Sequence, residues 1–169
     1  MRYTVPAIAM ILSAVPVTAQ NSPPPVRIVV PLSVGRVPHN APIPGKVLDL
    51  RIPELGNFDF DEDRPAIPAD VKALSGTTVR LRGFMIPFDS AENISRFALV
   101  PKLGSGGQNP VPPIPSIALV SCPKGKAVQY CGDEIVVEGK LTVGIMREDG
   151  FITGIFALET TSVKPAAAR

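Results

Sequence analysis

The 169-residue chain sets 17 Lys and Arg against 15 Asp and Glu, a formal charge of +2, so no broad basic field exists to attract nucleic acid or an acidic bilayer. Its 20 prolines and 14 glycines, with no tryptophan, argue against a helical bundle and for strands, turns and extended segments.

Met1-Arg2 is a short positive start, Val5 to Val17 is apolar, and Val17-Thr18-Ala19 offers residues suited to a signal peptidase. A signal peptide over residues 1–19 and a mature chain from Gln20 are expected, with a periplasmic or secreted location. The apolar run is shorter than the ~20 residues of a bilayer span and carries Pro6 and Pro16, so no integral membrane segment is expected after cleavage. No cysteine stands at the cleavage point to receive a lipid. The roughly 150 residues that remain suit one domain with an arm or tail.

Residues 20–67 read as a Pro-rich extended arm, because ten prolines between Pro23 and Pro68 forbid a long helix and a central strand alike. Within it "VRIVV" at 26–30 and "KVLDLRI" at 46–52 are candidate edge strands. His39, the only histidine, is expected at a solvated surface position, and a histidine triad or multi-histidine zinc site within one chain is excluded. Asp59, Asp61, Asp63 and Asp70 match EF-hand ligand spacing, but Arg64 fills the place of the turn glycine and Pro65 follows it. A solvated acidic turn is the preferred reading.

"PADVKALSG", 68–76, predicts one or two helical turns, with Val71 and Leu74 on one side and Gly76 as a left-handed cap. The next run, "TTVRLRGFMIPF", puts Val79 and Leu81 on one face and Phe84, Ile86 and Phe88 on the other. A bulge at Gly83 is expected to return all five side chains to one core. Arg80 and Arg82 alternate on one face of the same strand, as outward polar residues or as contacts for an anion. Further strands follow in "SRFALVP", "SIALVSC", "EIVVEGKLTVGIMR" and "FITGIFALETTSV". The third of these should turn Ile135, Val137, Leu141, Val143 and Ile145 inward, and the fourth Ile152, Phe156 and Leu158. Asp149-Gly150 joins the last two as a hairpin turn. The fold class is therefore all-β: a small OB-like five-stranded barrel over residues 68–163, with an open sandwich as alternative and residues 164–169 as a flexible tail.

Cys122 and Cys131 are the only cysteines, and in an oxidising compartment a disulfide between them is the leading expectation. A redox pair is the alternative, without the C-x-x-C spacing to support it. "KLGSGGQNPVPPIP", 102–115, has glycines at 104, 106 and 107, but no Lys-Ser or Lys-Thr pair follows and three prolines prevent a helix that could bind phosphate. It reads as a connector that can also act as a contact loop through Gly106, Gln108, Asn109, Pro112 and Pro113.

From about Phe58 to Val163 the chain resembles the bacterial exported DUF3299 family, on "IPADVKALSGTTVRLRGFMIPFD", "FALVPKLG", "NPVPPIPSIALV" and "VVEGKLTVG". The resemblance implies an OB-like periplasmic domain associated with envelope transport systems. It also implies a connector that commonly carries a cysteine followed two positions later by a histidine. Here those positions are Gly106 and Gln108, neither a thiolate nor an imidazole ligand.

The functional expectation is a non-enzymatic exported binding or adaptor module of the cell envelope with an envelope protein as partner. No catalytic residue, metal or cofactor is assigned, and no nucleic acid is expected, since export, near-neutral charge and few aromatics oppose a stacking site. An accessory role in transition-metal handling or envelope transport is the alternative. An enzyme using paired carboxylates such as Asp89, Glu92, Asp133, Glu134 or Asp149 ranks last, because turns are where solvated carboxylates normally sit.

Overall fold

The structure, a computed structural model, describes residues 36–88, 92–104 and 112–166. The expected signal peptide, the "VRIVV" segment, Asp89 and the contact-loop residues Gly106, Gln108 and Asn109 lie outside them. The fold is mostly β-sheet, with six strands among the described residues: β1 Leu48–Arg51, β2 Thr78–Pro87, β3 Arg96–Val100, β4 Ala118–Ser121, β5 Ile135–Glu148 and β6 Phe151–Pro165. Two four-residue helices, α1 Ile52–Leu55 and α2 Ala69–Lys72, precede β2, and a 3-10 turn spans Ile114–Ser116. No helix among these residues is long and apolar enough to cross a membrane.

The strand order is β1-β2-β3-β4-β6-β5, and β2 also pairs with β5. Thr78–Gly83 of β2 lie antiparallel to β5, and Phe84–Pro87 lie antiparallel to β3. β4 and β6 run parallel, while β5 and β6 form the long antiparallel hairpin. The pairings from β2 through β3, β4, β6 and β5 thus return to β2. The sixth strand is β1, parallel to β2 with Leu48 opposite Val79, so the 46–52 segment does add an edge strand.

The core cluster gathers Leu81, Phe97, Leu99, Leu141, Phe156 and Leu158 from the strands. The helices and the chain around them add Ile52, Leu55, Phe58, Ile67, Val71 and Leu74. Residues 48–67 therefore take part in the packed body, since Ile52, Leu55, Phe58 and Ile67 are all buried in the core cluster. Gly76 takes φ +86° as a left-handed position, and its N–H donates to Leu141 O at 2.7 Å, which fastens the end of α2 to β5.

β2 corrects one expectation. Its register with β5 runs without a shift from Thr78 to Gly83, and Val79, Leu81, Gly83 and Met85 are the buried positions. There is no bulge at Gly83; Met85, 2 % exposed, takes the inward place, while Phe84 and Ile86 stay half-buried on the other side and Phe88 is 48 % exposed. The glycine is needed for a different reason. A Cβ at 83 would lie 2.5 Å from Val100 O, so the missing side chain lets β3 pass close to the bend. Gly83→Ala is expected to lower the unfolding free energy by about 2 kcal/mol, read as a reduced urea midpoint at unchanged m.

The later strands follow the expected phase until bulges intervene. Ile135, Val137 and Leu141 are buried, but register irregularities between Val143 and Met146 turn Ile145 outward, where it is 38 % exposed. Asp149 and Gly150 take φ 50° and 88° between Glu148 and Phe151, the geometry of a tight hairpin turn. β6 runs on to Pro165, and Ala166 N–H donates to Glu134 O, so Lys164 and Pro165 belong to the sheet.

Candidate binding face

Outward positions of a sheet exposed to water are usually polar. Here Ile86, Ala98 and Leu119 stand in register across β2, β3 and β4 on the side away from the core. The β5–β6 hairpin curls over this apolar floor: a Cβ on Gly154 would meet Leu119 Cδ1 at 2.9 Å and Met146 Cε at 3.1 Å. Between hairpin and sheet lies a groove of about 600 Å³, walled by Phe88, Arg96, Leu119, Met146, Arg147, Glu148 and Thr153. The Arg96 guanidinium sits 5.8 Å from the Phe88 ring centroid, a contact that orients both side chains. No acidic partner of Arg96 occurs among the described residues. Arg147 is engaged locally, its Nη1 donating to Gly150 O at 3.1 Å. Phe151, 77 % exposed, projects from the hairpin tip.

A second cluster pins residues 36–40 to α2. Asp70 Oδ2 accepts from Arg36 Nη2 and from the His39 backbone N–H at 2.9 Å, and lies 3.2 Å from His39 Nδ1. Burial pushes the Asp70 carboxyl upward, but the hydrogen bonds from Arg36 and His39, with the Arg36 charge, outweigh it and hold the group well below the usual carboxylate range. The His39 side chain is only 10 % exposed, which corrects its expected solvated position. The Arg36 side chain is 1 % exposed, and its Nε and Nη1 have no hydrogen-bond partner among the described residues.

The sequence candidates disperse. Asp70 is committed to Arg36 and His39, and Asp61 accepts from the Asp63 N–H in a local turn at 3.0 Å. No group of three His, Cys, Asp or Glu side chains among the described residues is placed to share a metal ion. Arg80 donates to Asp49 on β1 and to Glu138 on β5, so its charge is used within the sheet. Cys122 and Cys131 are not bonded to each other here, so the expected disulfide is not shown. The loop between them is directed by the Ile94–Val128 bridge, the Cys122 sulfur faces Ile94 O at 3.8 Å, and burial pushes its thiol pKa up. Pro113 precedes the 3-10 turn, whose Pro115 is buried against Gly56, so this end of the connector is structural.

The candidate face has no motif in the sequence. Its signal was the unbroken alternation of β2, which places Phe84, Ile86 and Phe88 outside once the bulge is dropped.

The family model described as "Protein of unknown function (DUF3299)" matches residues 61–165. No curated protein matches. Among solved structures, the crystal structure of a DUF3299 family protein from Pseudomonas aeruginosa PAO1 is similar, with 26 % identity and a TM-score of 0.49 over 58 % of this chain. The match spans 66 % of that chain's length. With a family model covering more than half of its length, the chain belongs to the DUF3299 family.

Proposed function

We propose that the protein is an exported, periplasmic binding or adaptor module of the cell envelope, without catalytic activity of its own, and that its β2–β6 circuit is an OB-like five-stranded barrel with β1 added at one edge. The pairing order supports the barrel reading: a long bent first strand shared by two neighbours, and one parallel contact, β4 with β6, among antiparallel ones. OB-type barrels bind ligands on the face of their second and third strands, between the first and last hairpin loops. In this chain that face is β3 and β4, bordered by Phe88 and by the β5–β6 tip.

The observation that carries the proposal is the outward apolar row of half-buried Ile86, buried Ala98 and half-buried Leu119, flanked by exposed Phe88 and Phe151. A partner protein is the occupant that such a surface suits, since interface cores are enriched in Phe, Met and Arg. The double variant Phe88→Ser/Phe151→Ser should fold within about 0.5 kcal/mol of the parent, because both side chains are exposed. Crosslinking of tagged chain in intact envelopes, followed by affinity capture, should recover a partner with the parent and lose it with the double variant. Recovery of the same species with both proteins removes the face from the proposal, and recovery of monomer alone with the parent removes the adaptor reading.

A further inference from the structure

β1 has a strand on one side only. It ends the strand order and pairs with β2, and among the described residues no main-chain hydrogen bond joins Leu48–Arg51 to any other segment. Beside it lies a cavity of about 530 Å³, bordered by Val37–Asn40 and Leu48–Leu50, with Glu54, Asn57 and Leu74 completing its lining. Leu48 and Leu50 are half-buried and pack against the core cluster, whereas Asp49 and Arg51 on the other face of β1 are exposed. Val37 and Val47 are exposed as well. An edge strand with half-covered leucines can take a further strand through main-chain hydrogen bonds, with its side chains deciding which sequence fits.

We infer that residues 26–30 of the same chain, "VRIVV", fill this place as a strand beside β1, with Val26, Ile28 and Val30 on the side of Leu48 and Leu50 and Arg27 on the side of Asp49. The segment has the reach. The described chain starts at Arg36, which is bound to Asp70, and Val37–Asn40 after it form the far wall of the cavity. Pro31 to Gly35 separate Arg36 from Val30, a span of up to ~17 Å. The segment also has the pattern: four of its five residues are β-branched and apolar, its alternation is that of β1, and a slip by one residue would bring Arg27 onto the leucines. Charge agrees with that register, because the cavity lining holds Asp49 and Glu54 and neither Lys nor Arg. Asp49 already accepts from Arg80, and Glu54 lies 4.0 Å from Arg51, so Arg27 joins two carboxylates that each have one cation nearby. The inference does not depend on the binding-face reading, which concerns β2, β3 and β4.

The test uses the full mature chain with a diazirine amino acid in place of Ile28. Irradiation should link position 28 to Val47–Leu50 within one chain. Linkage between two chains gives the place to a second copy, and linkage elsewhere in the same chain takes the segment away from β1; either result overturns the inference. Hydrogen exchange read amide by amide is the second measurement. Ile28→Ser should speed exchange of the β1 amides that face away from β2 about tenfold, because it removes the apolar contact with Leu48 and Leu50. Arg27→Glu should speed it about threefold, the worth of an exposed ion pair. Val29→Ser, on the opposite face of the run, should leave it unchanged. Amides of β5 and β6 should keep the parent's rates in all three variants, which separates an uncovered edge from a lost fold. Equal effects of Ile28→Ser and Val29→Ser, or no effect of either, would sink the assignment.

Discussion

Gly139→Ala is expected to lower the unfolding free energy by about 3 kcal/mol, the upper end of what overpacking usually costs. A Cβ at 139 would lie 2.8 Å from Thr160 Cα and 2.9 Å from Glu159 C, and closer still to the Glu159 carbonyl oxygen. Backbone atoms of a paired strand cannot rotate away as a side chain can. Nor can β5 retreat, because Gly139 is opposite Val79 of β2 on one side and Thr160 of β6 on the other. The β5–β6 register shifts at this point, with Glu138 opposite Ser162, and the Thr160 and Thr161 hydroxyls both donate to Glu138 O. The glycine lets the two strands close over that irregularity. Gly144→Ala in the same strand is the control, since a Cβ there meets nothing within 4 Å. It should be neutral or stabilising by up to about 0.5 kcal/mol through the unfolded chain. Urea midpoints of the two variants decide the matter: equal losses would show that alanine is disfavoured in β5 generally and that close packing at 139 is not the cause.

What could be read from the sequence was what local chemistry dictates. The Asp149-Gly150 turn needs two left-handed residues and has them, and Gly76 takes a left-handed conformation in the turn after α2, where Val71 and Leu74 are buried in the core. Alternation located β2 to β6 for the same reason, since burial of one face imposes a period of two. The readings failed where the cause lies far along the chain. Gly83 reads locally as a bulge site because its real constraint, the carbonyl of Val100, is invisible there. Alternation alone points Ile145 inward because the β5–β6 register shifts depend on the partner strand. His39 reads as solvated because its partner, Asp70, lies 31 residues away. The candidate face has no motif at all: it exists only when Ile86, Ala98 and Leu119 are brought into register from three strands.

Asp70→Asn should destabilise the protein at neutral pH by about 3 kcal/mol, the lower end of what removing one partner of a buried ion pair costs. The lower end applies because the Asp70 side chain keeps 20 % of its exposure, whereas the Arg36 side chain, at 1 %, would be left with a buried charge and no counter-ion among the described residues. Asparagine preserves the shape and can still accept from the His39 N–H, so the loss reports the charge. The effect has a defined pH window. The folded-state pKa of Asp70 is depressed below its ordinary value, so its carboxylate contributes full stability above the unfolded pKa of about 3.9 and loses that contribution as pH falls below it. The difference between parent and Asp70→Asn should therefore be constant from neutral pH down to about pH 5 and shrink towards pH 2. Denaturation midpoints across that range test the sign as well as the size. A difference that grows on acidification, or a variant as stable as the parent at neutral pH, would mean that residues 36–40 are held to α2 by packing and that Asp70 is not their clamp. The expected result ties residues 36–40 to α2 through one carboxylate oxygen.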